Sequence, residues 1–160
     1  MLFFPPFRGP RYIDHDNFLV YGGIKFREGL NKVAFRNLMA FPNGPDQRQV
    51  PFATQCQGTN EAYTNNTVIS GTGAFYGSCA KYNAGVAAYH VNMDFNRFYS
   101  PASSFSDGGC AGMSKGDLTD WKKWQQAGLG QDAHSTLSPA TEIGFDAILA
   151  AGRKLVFPVK

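Results

Sequence analysis

The sequence predicts an all-β chain wound as a parallel β-solenoid, with short helices capping its C-terminal end. Three observations predict it. An asparagine is followed by a short apolar or β-branched run four times: Asn17 before 18–21, Asn37 before 38–41, Asn66 before 67–69 and Asn96 before 97–99. The starts are separated by 20, 29 and 30 residues, the scale on which a chain stacks one turn on the next. Each repeat also has the same internal order of strand, Asn, second strand, then Gly or Pro. With 18 Gly, 9 Pro and only 17% charged residues, the composition suits short strands joined by turns.

The first coil spans 12–21 and stops at Gly22-Gly23; the second spans 32–41 and stops at Pro42-Asn43-Gly44-Pro45. The third spans 61–70 and stops at Gly71-Thr72-Gly73; the fourth spans 85–99 and stops at Ser100-Pro101. Asn suits the corner for two reasons. It tolerates the left-handed backbone region better than any residue except Gly. Amides at equivalent corners, about 4.8 Å apart in stacked strands, can also hydrogen-bond up the stack as a ladder of Asn17, Asn37, Asn66 and Asn96. The connecting segments 42–59 and 71–84 are loops rich in Gly, Gln, Asn and Pro, where function commonly sits.

After Pro101 the pattern changes. A small-residue loop, 103–116, leads to Asp117, which reads as the N-cap of a helix over 118–127 closed by Gly128. Ser138-Pro139 reads as the N-cap and first turn of a second helix ending near Gly152, and 154–159 as a final strand. Residues 1–116 are thus the coils, and 117–160 a cap of the same domain that blunts the last edge. Met1-Leu2-Phe3-Phe4 runs into the first coil with no such cap. The expectation is a C-terminal portion of a longer solenoid, or self-association through the first coil.

Bulk properties narrow the function. At 160 residues, 43% hydrophobic and 14% aromatic, the chain has material for one folded core. The net charge of +3 is scattered, without the basic stripe that nucleic-acid binding uses. No apolar run approaches the roughly 20 residues that span a bilayer, and 1–7 lacks the features of a signal peptide. Cys56, Cys79 and Cys110 show no CxxC spacing. They allow one disulfide in three ways, or small buried thiols. Asn65-Asn66-Thr67 is a glycosylation sequon, which points toward an extracellular or secretory-pathway location.

Near the C-terminus, Trp124-Gln125-Gln126-Ala127-Gly128 followed by Gly130-Gln131-Asp132-Ala133-His134-Ser135, with Pro139 beyond, resembles the end of a right-handed parallel β-helix domain. Tyr63-Thr64-Asn65-Asn66-Thr67-Val68-Ile69 resembles the rungs of the same family, and the likeness covers roughly 12–140. The family includes polysaccharide lyases, glycoside hydrolases, epimerases and non-catalytic surface proteins. The resemblance therefore implies a right-handed parallel β-helix and extracellular polysaccharide processing of lyase or glycoside hydrolase type. The alternative is a non-enzymatic adhesion or carbohydrate-binding solenoid. A glycan is the implied partner, with neither nucleic acid nor membrane. Trp124, Asp132 and His134 become the structural C-terminal step, fastening loop to coil.

Candidate chemistry centres on Asp14-His15-Asp16. In a strand, Asp14 and Asp16 share one face, where they would hold Ca²⁺ or act as acid and base on a glycosidic bond; a solvated strand end is the competing reading. Asp94, near the fourth corner, is the third candidate, although its offset from Asn96 is out of phase with both. Ca²⁺ is the one cofactor this pattern admits. Ser135 lacks a nucleophile elbow, and His90 lies in an apolar run. Phe75-Tyr76, Tyr82, Tyr89 and Phe98-Tyr99 are either sugar platforms or core.

Overall fold

The computed structural model describes residues 12–20, 23–26, 29–40, 52–54, 58–59, 61–77, 91–106, 119–126 and 131–157. Among the described residues there are fourteen short strands: β1 Ile13–His15, β2 Phe18–Val20, β3 Ile24–Phe26, β4 Gly29–Leu30, β5 Val33–Phe35, β6 Leu38–Ala40 and β7 Phe52–Thr54. They continue as β8 Gly58–Thr59, β9 Glu61–Thr64, β10 Thr67–Ile69, β11 Tyr76–Gly77, β12 Val91–Asp94, β13 Arg97–Ser100 and β14 Thr136–Pro139. Among the described residues two α-helices, α1 Trp121–Gln126 and α2 Phe145–Val156, accompany two 3₁₀ turns.

Every strand pair among the described residues is parallel. One sheet runs β1-β5-β9-β12 and a larger one β14-β13-β10-β6-β2, beside a three-stranded sheet β11-β7-β3 and the pair β4-β8. The register follows the asparagines: Phe18 pairs with Leu38, Leu38 with Thr67, Thr67 with Arg97, and Arg97 with Thr136.

The expectation of an all-β, right-handed β-helix solenoid is corrected. The strands divide into two main parallel sheets of four and five strands, with helices, an α/β-like arrangement. The physical reason lies in the outward side of the five-stranded sheet. A solenoid exposes that face to water and keeps it polar, but here it carries Phe18, Leu38, Ala40, Ile69 and Tyr99. Helix α2 covers it with Ile148 and Leu155, and Ile143 joins the same cluster. The helix is a layer on a sheet face, where the sequence suggested an end cap.

The C-terminal boundaries shift with it. Ser138 and Pro139 are strand β14, not a helix start, because they pair with Tyr99 and Ser100. Helix α2 begins after Gly144, passes through Gly152 and includes Lys154–Val156, where a final strand was expected. The cap of α1 is Asp120, whose Oδ1 accepts the Lys123 N–H at 3.1 Å. Asp117, Cys56, Cys79, Cys110, Tyr82, Tyr89 and His90 lie outside the described residues.

Between the sheets lies the core of Ala34, Met39, Tyr63, Val68, Met93 and Phe98, joined by Ile24, Phe75, Tyr76, Phe105 and Trp124. Tyr76 stacks on Trp124 at 4.9 Å, and Phe75 packs on Phe98 at 4.7 Å. Phe75, Tyr76 and Phe98 are therefore core and not sugar platforms. No helix of the described residues is long and apolar enough to cross a membrane.

Candidate functional site

The four asparagines form a hydrogen-bonded column. Asn37 Oδ1 accepts from the Asn17 N–H at 3.1 Å and Nδ2 at 3.0 Å. Asn66 Oδ1 accepts from Asn37 in the same way, at 3.0 and 3.1 Å, and Asn96 Oδ1 from Asn66, at 2.9 and 3.2 Å. Each interior Nδ2 also donates back to a strand carbonyl: Asn37 to Asp14, Asn66 to Ala34 and Asn96 to Tyr63. Ser135 ends the column, its Oγ accepting the Asn96 N–H at 2.8 Å. Its distance of 39 residues from Asn96 hid it from the repeat spacing.

The column asparagines do not themselves take the left-handed conformation expected of the corner. The left-handed residues are Asp16, Arg36, Asn65 and Phe95, with φ of 54–58°, each one position before the column. The asparagines act through their side chains, and the strain falls on their neighbours, at a cost of about 1–2 kcal/mol per L-residue. Such a conformation turns the preceding side chain outward, so the turns build a ridge.

Along this ridge the residue types alternate in chemistry. At the first turn His15 Nδ1 lies 2.6 Å from Asp16 Oδ2. Asp16 also accepts from Arg36 Nε at 2.7 Å and Nη2 at 2.5 Å. These bonds, the Arg36 pair foremost, hold the Asp16 carboxyl well below the usual carboxylate range. Phe35 stacks on His15 at 5.0 Å, and the Arg36 guanidinium lies 4.6 Å over the Phe35 ring. Asn65, the sequon asparagine, is exposed at the next turn. At the fourth turn Phe95 is 55% exposed and stacks on His134, with centroids 4.9 Å apart and planes within 6°. Asp94 Oδ1 accepts the His134 N–H, and its Oδ2 lies 2.7 Å from His134 Nδ1. Partial burial pushes the Asp94 carboxyl up, but bonds from His134 and the Phe95 N–H together outweigh it and hold it low.

The three candidate carboxylates each have their own partners. Asp14 is engaged by Asn17 Nδ2 and Asp16 by Arg36. Asp94 pairs in register with Thr64, which faces Phe35 and so His15. It sits three strands from the first turn, about 14 Å at the spacing of neighbouring strands. A glycosidase pair needs about 5–9.5 Å. Among the described residues no group of three His, Cys, Asp or Glu gathers to hold a metal, so the Ca²⁺ expectation rests on residue type alone.

The C-terminal step divides. Trp124 Nε1 donates to Asp132 Oδ2 at 2.9 Å, and the carboxylate also accepts from Ser135 Oγ at 2.5 Å, Asn96 Nδ2 at 3.1 Å and the Tyr76 hydroxyl. Burial pushes the Asp132 carboxyl up, and the four donors offset only part of this. Sealed from solvent, this knot ties α1 to the end of the column. His134 bonds Asp94 at the end of β12 and lies on the ridge. Sequence reasoning missed Phe95 and Arg36, although each stands directly before a ladder asparagine.

No protein-family model, curated protein or solved structure matches this chain.

Proposed function

We propose that this protein is a non-enzymatic carbohydrate-binding protein of the extracellular or secretory compartment, gripping a glycan along the turn ridge. Phe95 carries the reading. A bulky aromatic in the left-handed region is strained, and such strain persists where something repays it. Phe95 is also more than half exposed, so packing in the core does not repay it. The Phe95–His134 pair offers a flat π surface to the C–H face of a sugar ring, whose hydrogens are attracted by the ring's negative face. Asp94 and Asn65 place acceptors and donors near it for hydroxyl groups, and the Asp16–Arg36 pair does so farther along the ridge. Binding is favoured over processing because Asp14 and Asp16 are each engaged by a separate partner and Asp94 lies too far from both for paired acid/base work.

The test is titration of a panel of soluble polysaccharides into the wild-type protein and Phe95→Gly. Glycine removes the ring while suiting the positive φ, so the turn survives. Affinity for the best ligand should fall at least tenfold, with His134→Ala weakening it further. Equal binding by Phe95→Gly, or no retained polysaccharide in the panel, refutes the proposal.

A further inference from the structure

Between helix α2 and the five-stranded sheet lies a cleft of about 320 Å³, which borders the ridge at Arg36 and Asn65. Its apolar lining is Leu38 from the sheet, Ile143 before α2, and Ala151 and Leu155 on the helix, with Asn37 and Asn65 on the turn side. Two cations stand at its border, Arg36 and Lys154, with the Thr67 side chain between the walls. No acid lines the cleft among the described residues. Arg36 is committed to Asp16 through Nε and Nη2, which leaves Nη1 outside that pair. Lys154 has no ion-pair partner among the described residues.

A largely apolar slot with Lys154, unpaired among the described residues, at its rim selects a ligand of matching design. We propose that this cleft binds a small amphiphilic carboxylate, free in solution, with its apolar body against Leu38, Ile143 and Leu155 and its carboxylate toward Lys154. The volume is that of about ten waters at about 30 Å³ each, so it takes a body of about ten non-hydrogen atoms. Cavities of this size sit at the lower end of small-molecule sites, where a few polar groups orient an otherwise apolar ligand. The cleft shares Arg36 and Asn65 with the ridge, but the apolar body and Lys154 lie off it, so octanoate binding tests this proposal whether or not the ridge binds glycans.

Octanoate is the probe, with 1-octanol as its uncharged counterpart, titrated into the full chain by calorimetry. Octanoate should bind saturably at one site and at least tenfold more tightly than octanol. Lys154→Glu should weaken octanoate at least tenfold and leave octanol unchanged. Ala151→Phe, at an exposed helix position, should fill the cleft and weaken both, and unchanged far-ultraviolet dichroism will show each variant folded. Lys154→Gln provides a milder second variant, expected between wild type and Lys154→Glu. Absence of saturable octanoate binding, equal affinity for acid and alcohol, or indifference to both Lys154→Glu and Ala151→Phe overturns the proposal. Lys154-dependent binding to phosphatidylserine vesicles without octanoate binding would likewise overturn it, by giving the site to a lipid surface.

Discussion

Removing the Asn66 side chain should cost far more than removing the chemically identical one at Asn17. Asn66 is fully buried, and its amide makes four bonds: two accepted from Asn37, one donated to the Ala34 carbonyl and one to Asn96 Oδ1. Asn66→Ala leaves the buried Asn37 N–H without its acceptor, a penalty of about 1–3 kcal/mol, and forfeits further bonds worth about 1 kcal/mol each. The total is about 4 kcal/mol, or roughly 8–16 °C in Tm for a domain of this size. Asn17 is half-buried at the end of the column. Asn37 Oδ1 keeps the Asn17 backbone donor after Asn17→Ala, so that change should cost about 1 kcal/mol. Urea denaturation of both variants measures the difference. Asn66→Asp should be at least as damaging as Asn66→Ala, since it turns an oxygen toward the Ala34 carbonyl and Asn96 Oδ1. Costs for Asn66→Ala and Asn17→Ala within 0.5 kcal/mol of each other (roughly the error of such comparisons) would refute a cooperative column.

Three further outcomes are expected. Glu61 is buried with both carboxylate oxygens lacking hydrogen bonds, and burial pushes its carboxyl up to about 7 although Lys32 Nζ lies 3.9 Å away. A folded-state value above the unfolded one means the native protein binds the extra proton. Stability should therefore fall as pH rises from about 4.5 to 7, by about 3 kcal/mol relative to Glu61→Gln; parallel pH profiles for the two proteins would contradict this. Asp132→Asn places an amide NH₂ among the Trp124, Tyr76 and Ser135 donors and should cost about 2–4 kcal/mol in chemical denaturation; a cost below about 1 kcal/mol would mean the buried knot contributes little. Gly152→Ala should destabilise by about 1–3 kcal/mol despite alanine's better helix propensity, because its Cβ would meet the Phe18 ring at 2.5 Å; a higher Tm for the variant would show that α2 is not seated there.

Much of the local structure was legible because one residue type repeats where the geometry repeats. Asn17, Asn37, Asn66 and Asn96 announce the turns, and the flanking strands 13–15 and 18–20 follow the alternation of apolar residues. The sheet arrangement was not legible, for a physical reason. Whether Leu38, Ala40 and Ile69 face a solvent or a helix depends on where α2 docks, and periodicity within a three-residue strand cannot say. The same limit misplaced the second helix. Ser138-Pro139 has good capping chemistry, but pairing with Tyr99 and Ser100 overrides that local preference. The site was partly visible. Asp94 and His134 were singled out, yet their union depends on a contact across 40 residues. Phe95 was hidden because an aromatic before an asparagine reads as core until the turn conformation is known.

Reducing-end analysis of a bound polysaccharide bears most directly on the account. The protein should retain the intact polymer through the Phe95–His134 ridge and release no new chain ends during prolonged incubation. Accumulation of shorter fragments, abolished by replacing Asp14, Asp16 or Asp94, would show catalysis where binding alone is claimed.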